Sequence, residues 1–292
     1  MKGINAKWVY LFILSLIWGS SFILIKKSLL GLTPFQLGSL RTIFTGTFLF
    51  IAGYSTIKTI EKQQWKWLIL SGFLGSFFPA FLFAIAETEI DSSIASILNS
   101  LVPLNTILMG FAIFKITSTK RQMFGVIIGF IGTAILILKE ANLNPNQNYL
   151  YAGFVIFSTI MYAANVNIIK RHLHSVKPLT IAVGNYVSII IPAVIILLCS
   201  GFFSDTTFNK PDFKMSLVYV TILSFFGTAL AKVMFNKLIH ISTPVFASSV
   251  TYLMPIVALG WGILDGESFT ITQGFASIII LIGVYLSHRP KA

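Results

Sequence analysis

Four stretches of this chain, Val9 to Ile25, Leu68 to Ala86, Ile94 to Ile113 and Ile181 to Cys199, contain no charged side chain. A helix rising 1.5 Å per residue needs about 20 apolar residues to cross the hydrocarbon core of a bilayer. The alternating ten-residue segments of a membrane β-barrel are absent. Of the 292 residues, 55% are hydrophobic and 10% charged, too few polar groups to cover a soluble domain. These features predict an all-α membrane protein with the lipid bilayer as its surroundings.

In a soluble chain the formal net charge of +12 would suggest nucleic acid. Here the basic residues fall in short loops between apolar runs, so no nucleic-acid partner is expected. Cys199 is the one cysteine and permits no internal disulfide. His172, His174, His240 and His288 lie at or beyond helix ends rather than on one helix face, so neither a metal nor a cofactor is expected. Lys2 and Lys7 precede the first apolar run as in a signal peptide, but the run is long and lacks a small-residue cleavage site. It reads as a retained first helix.

Ten spans follow, at roughly 8–25, 36–54, 66–86, 92–114, 121–138, 150–169, 180–200, 215–236, 244–264 and 270–287. They divide into two copies of one unit. Ala95, Ser96, Leu101 and Pro103 return 152 positions later as Ala247, Ser248, Leu253 and Pro255. Ser76-Phe77-Phe78 returns as Ser224-Phe225-Phe226, and Gln122, Phe124 and Gly132 as Gln273, Phe275 and Gly283. The domains are expected at 1–140 and 150–292, joined by an Asn-rich linker at 141–149. An odd number of spans per copy makes the second enter from the opposite side. The expected fold is therefore ten transmembrane helices in two inverted five-helix repeats, an arrangement that places a small-molecule substrate between the copies.

Lysine and arginine set the orientation. Fourteen of them fall on the N-terminal side and five on the other, with Arg41 and Lys232 inside spans, which accounts for all 21. Among the acidic residues only Glu61 lies on the N-terminal side. The positive-inside rule puts both termini in the cytoplasm, in an inner or plasma membrane.

Polar residues within spans are the candidates for a site. Lys232 is mid-span in span eight, at a cost of about 2.5–3.5 kcal/mol near the bilayer centre. It either faces a cavity or snorkels to the cytoplasmic end. Arg41, five residues into span two, either reaches headgroups or forms a gate or a carboxylate contact. Ser96, Asn99 and Pro103 share a face at i, i+3, i+7, as do Ser248, Thr251 and Pro255. The prolines free a carbonyl one turn earlier, which suits a midplane site with Pro103 and Pro255 as gating points; the alternative is polar contact between helices. Trp18, Tyr162, Asn165 and Tyr252 lie within spans and either line a cavity or belong to an interfacial belt. Gly125, Gly129 and Gly132 give span five a small-residue packing face. No carboxylate lies deep in a span; Glu87 is at the end of span three.

Trp18-Gly19-Ser20-Ser21-Phe22, Lys26, Pro34 and Arg41 resemble the opening of the drug/metabolite transporter superfamily, EamA-like group. Pro244 to Ser249, Pro255, Gly266-Glu267, Gln273 and Gly283 extend the resemblance over nearly the whole chain. Phe114-Lys115 stands where the family repeat usually has Gly-Glu. The resemblance implies a ten-helix inverted repeat, with spans five and ten at the contact between halves, that exports small, often amino-acid-like metabolites. The expected function is a secondary transporter working by alternating access; the alternative is a scaffolding membrane protein. No enzyme is expected, because buried acids and histidines are lacking, and no ATP-binding loop is present. A monomer is expected, with oligomers possible.

The Lys/Arg asymmetry predicts that a reporter active only in the cytoplasm works when fused after Ala292, and that a cysteine at Asn144 is labelled from outside. Labelling of that cysteine from the cytoplasmic side alone would overturn the ten-span parse.

Overall fold

The computed structural model describes residues 2–114, 120–143, 147–267 and 270–288. Asn144, Pro145 and Asn146 of the expected linker, and Lys115, Arg289 and Lys291, lie outside them. The described residues are helical with no strand among them. The helices are α1 (Lys2–Ser28), α2 (Pro34–Gly53), α3 (Lys62–Gly72), α4 (Phe78–Ala86), α5 (Ser92–Asn99), α6 (Val102–Phe114), α7 (Lys120–Leu143) and α8 (Ala152–His172), then α9 (Pro178–Cys199), α10 (Asp205–Phe208), α11 (Phe213–Ile222), α12 (Ala231–Ile241), α13 (Pro244–Ser248), α14 (Met254–Leu264) and α15 (Ile271–His288).

Local chemistry sets several starts. Thr33 accepts from the Gln36 N–H while the Gln36 side chain accepts from the Thr33 N–H, a capping box that opens α2 at Pro34. Thr243 caps α13 with its hydroxyl alone, which accepts from the Phe246 N–H, before Pro244.

Eight helical segments are long and apolar enough to cross a bilayer: Ala6–Ser28, Pro34–Thr59, Lys62–Ala86, Ser92–Ile113, Tyr149–His172, Pro178–Cys199, Phe213–Ile241 and Pro244–Leu264. Two shorter apolar helices, Met123–Leu138 and Ile271–Gly283, stand where spans five and ten were expected. The distribution of polarity suits lipid rather than water. Ile191, Ile195 and Leu198 of α9 and Phe275, Ile278 and Ile282 of α15 are exposed, while Ser71, Asn105, Asn165 and Asn167 are buried. The buried groups bond to one another or to backbone: Ser71 Oγ to Asn165 Oδ1 at 2.6 Å and Asn105 Nδ2 to Thr159 Oγ1 at 2.7 Å.

Four spans are irregular, in matching pairs. The fourth and ninth of the expected spans are broken where the sequence suggested continuous, proline-kinked helices. Their second halves begin with Val102-Pro103 and Met254-Pro255, so each proline is a second helical residue, whose missing N–H leaves no helix bond unmade. A 3₁₀ turn, Ser249–Tyr252, fills the second break. The third and eighth spans each carry a π-helical segment, Phe73–Phe77 between α3 and α4 and Leu223–Leu230 between α11 and α12. These contain the matched Ser-Phe pairs.

Helices α7 and α15 pack along each other. The approach depends on glycine: a Cβ at Gly283 would strike the α7 backbone at Gly125 and Gly129. Gly283→Leu is therefore expected to lower stability by about 1–3 kcal/mol through overpacking. Gly153→Ala, with nothing within 4 Å of its added carbon, serves as the control. Equal thermal midpoints for the two purified variants would contradict this packing.

Candidate functional site

A cavity of about 110 Å³ lies where the irregular segments meet. Residues from both sides of the 141–149 break line it, among them Trp18, Arg41, Ser76 and Asn99 from one and Tyr162, Asn165, Lys232, Ser248 and Thr251 from the other.

Lys232 lies two residues past the second π segment and is only 7% exposed, so it does not snorkel. Its Nζ donates to Ser76 Oγ at 2.6 Å and to the Gly75 carbonyl at 3.3 Å. Both acceptors belong to the first π segment, where an i→i+5 pattern replaces the α ladder, as in the Phe78 N–H bond to Phe73 O. A side chain at Gly75 would push aside the Asn165 amide, which accepts from Ser71. Arg41 points inward rather than to headgroups: its Nε donates to Thr228 Oγ1 at 2.9 Å, and Thr228 in turn donates to Leu223 O, five residues back in the second π segment. Each π segment thus supplies acceptors to a cation.

Aromatic rings form much of the remaining wall. Trp18 Nε1 donates to the Gly227 carbonyl at 2.8 Å, and its ring meets Phe235 edge-on at 4.9 Å. Phe83 lies between Phe22 and Tyr162. Asn165 is occupied by Ser71, and Ser248 and Thr251 donate to carbonyls three residues back. Asn99 is different. Its Nδ2 meets only the Met254 sulfur, at 3.9 Å, and its Oδ1 is buried with no donor.

The cavity thus brings together Trp18, Arg41, Asn99, Tyr162, Asn165, Lys232, Ser248 and Thr251. Ser96, Tyr252, Pro103 and Pro255 are not in its lining. The Ser96 and Tyr252 hydroxyls are buried without a partner. Ser76, Thr228, Tyr186 and Asn236 line it although the sequence did not single them out as site residues. The repeated Ser76/Ser224 motif was the one signal that pointed near them. Among the described residues no three His, Cys, Asp or Glu side chains cluster as metal ligands would.

At the end of α1 away from the N-terminus a charge cluster ties the two halves of the chain. Lys26 Nζ reaches Glu267 Oε1 at 2.8 Å and Asp265 Oδ2 at 3.2 Å, and Lys27 pairs with Asp265. Glu267 also accepts from Ser92 Oγ at 2.7 Å and from the Ser92 and Ser93 N–H groups, which opens α5 with a carboxylate from 174 residues away. Burial pushes the Glu267 carboxyl up, but the bonds from Lys26, Ser92 and Ser93 outweigh it and hold the group below its ordinary value of 4.5.

Residues 6–138 and 150–289 each match the model of the EamA-like transporter family. Among curated proteins, an "Uncharacterized transporter" of Archaeoglobus fulgidus is 25% identical, covering 98% of this chain and 99% of the relative. A "Probable amino-acid metabolite efflux pump" of Salmonella typhimurium is 25% identical over 93% and 91%, and an "Uncharacterized inner membrane transporter YedA" of Escherichia coli 24% over 94% and 90%. A solved structure titled "Crystal structure of protein" shares the fold at a TM-score of 0.67, with 16% identity and 97% of both chains covered.

The charge cluster yields a pH prediction. A carboxylate whose folded-state pKa is depressed stabilises the fold above its unfolded pKa, and that contribution is lost as pH falls through the folded value. Glu267→Gln should lower the thermal midpoint at pH 7 by about 2–6 °C. The gap between variant and wild type should persist down to about pH 4.5 and close below it. A gap that stays constant through the acid range would show that the charge on Glu267 contributes nothing.

Proposed function

The chain belongs to the EamA-like transporter family, and from that premise we propose that it is a secondary transporter exporting small, amino-acid-like or related metabolites through the cavity around Arg41 and Lys232. It is a multi-pass membrane transporter rather than an enzyme by family and by the names of its relatives. Its proposed frame is ten spans in two inverted repeats, 1–140 and 150–292, in an inner or plasma membrane with both termini cytoplasmic. The two separate family matches and the pairing of broken spans four and nine, and of π-bearing spans three and eight, support that frame. The name of the Salmonella relative supports amino-acid-like substrates and outward movement.

One observation carries the reading. Two basic side chains from different halves of the chain, Arg41 and Lys232, face one buried cavity and bond there to neutral hydroxyl and carbonyl groups. A scaffold has no use for side chains so costly in a bilayer, whereas a carrier uses them to meet its substrate. Trp18, Asn99, Tyr162, Asn165, Ser248 and Thr251 complete the contact surface. Arg41 takes part in gating, and the helix breaks at Pro103 and Pro255 give the two halves places to flex during alternating access.

Purified protein in liposomes, given labelled amino acids, 2-hydroxy acids, nucleosides and sugar derivatives, should move at least one class without chemical change. Lys232→Met keeps the stem and removes the charge. It should cut the initial rate per folded protein by tenfold or more, the equivalent of about 1.4 kcal/mol. Absence of flux for every class, or an unchanged rate in the variant for all that move, would overturn the reading.

A further inference from the structure

The charge of the cavity wall specifies the substrate further. Arg41 and Lys232 are both in the lining, and no Asp or Glu is. The ion pairs among the described residues involve Lys26 and Lys27, not these two. Arg41 Nε is held by a threonine hydroxyl, and Lys232 by a serine hydroxyl and a carbonyl. The carboxylate that acts on Arg41 from behind the lining is Glu87, one residue past the third span, with both oxygens buried and without hydrogen-bond partners. Burial first, and then the charge of Glu267, pushes its carboxyl well above the usual range. That favours the neutral form, which does not cancel the charge of Arg41.

An amino acid bound here would bring its ammonium alongside its carboxylate, into a wall that holds the Arg41 guanidinium and has no Asp or Glu to receive it. Like charges in a poorly solvated site repel strongly. Two lining acceptors, Asn99 Oδ1 and Asn236 Oδ1, are buried without a partner, and each can take a neutral donor such as a hydroxyl. Taking the cavity as the transport site, as proposed above, we infer that, among the amino-acid-like and related metabolites, its substrate is a net-negative organic acid rather than a zwitterionic amino acid. Its carboxylate meets Arg41 and Lys232, its neutral hydroxyl or N–H donor meets Asn99, and its apolar body lies against Trp18 and Phe235. The guanidinium is suited to receive the two carboxylate oxygens together.

Matched compounds of different charge test this. The probes are 3-phenyllactate, phenylalanine and phenylalaninol, with the smaller set 2-hydroxybutyrate, 2-aminobutyrate and 2-aminobutanol. Each set keeps one body and runs from anion through zwitterion to cation. Binding to the purified full chain at pH 7.5 is read as thermal stabilisation and by equilibrium dialysis. In at least one set the anion should bind at least tenfold tighter than the zwitterion, with the cation weakest. Arg41→Gln and Lys232→Met should each flatten that order while leaving a folded protein, checked by its unfolding midpoint without ligand. Asn99→Leu should reduce the preference for the hydroxy acid over the same acid without its hydroxyl. Equal or tighter binding of zwitterion or cation, an order unchanged in both charge variants, or no binding in either set overturns the assignment. The liposome screen separates the two readings. Flux of a zwitterion or cation with no anion preference leaves transport standing and removes the anion, whereas no flux of any class removes both.

Discussion

In hydrocarbon a backbone N–H or C=O has no water to turn to, so each residue of a span must be helical unless another part of the protein takes over its hydrogen bonds. The places where this chain departs from α-helix are therefore informative. Among them, two π segments and two broken helices reach the same cavity. Three of the carbonyls in the π segments have side-chain partners. The Gly75 carbonyl takes Lys232, the Gly227 carbonyl takes the Trp18 indole, and the Leu223 carbonyl takes Thr228. Irregular backbone and polar side chains stabilise one another, and both are confined to the middle of the protein.

The same confinement governs charge. Lys26 and Lys27 sit at the helix end where carboxylates are available, and pair with them. Arg41 and Lys232 sit where none lines the wall, and make do with dipoles. The first arrangement closes a structure. The second leaves positive potential in an enclosed space, which the fold tolerates because the cavity and its hydroxyls replace part of the lost hydration.

Much of this was legible in the sequence. Apolar runs located the eight long helices, because span length is imposed by the bilayer rather than by tertiary context. Lys232 stood out because a single charge among apolar neighbours has few places to go. The glycines of span five read correctly as a packing face, since only small residues let helix backbones approach as Gly283 approaches Gly125. What escaped depended on phase and distance. Ser96, Asn99 and Pro103 share a face only on a continuous helix. The break after Asn99 changes the phase of Pro103, which does not line the cavity, while Ser96, one turn before Asn99 on the same helix, is buried outside the lining. A π segment adds one residue to a turn and leaves no mark on composition, so Ser76 and Thr228 could not be recognised as partners for cations. The bond from Ser92, at the start of α5, to Glu267 joins residues that each look solvated in isolation.

The π segment before Lys232 has a consequence in register. An α-helix turns by about 100° per residue, so each residue inserted or removed upstream swings everything downstream around the axis. The direction of Lys232 is thus fixed less by its own neighbours than by the residue count between Leu223 and Leu230. Removing one residue there would leave hydropathy and length almost unchanged while turning the lysine out of the cavity. Gly75 is subject to the same count in its own segment. The two segments behave as paired indexing marks, and the meeting of Lys232 with Gly75 and Ser76 requires both to be in phase.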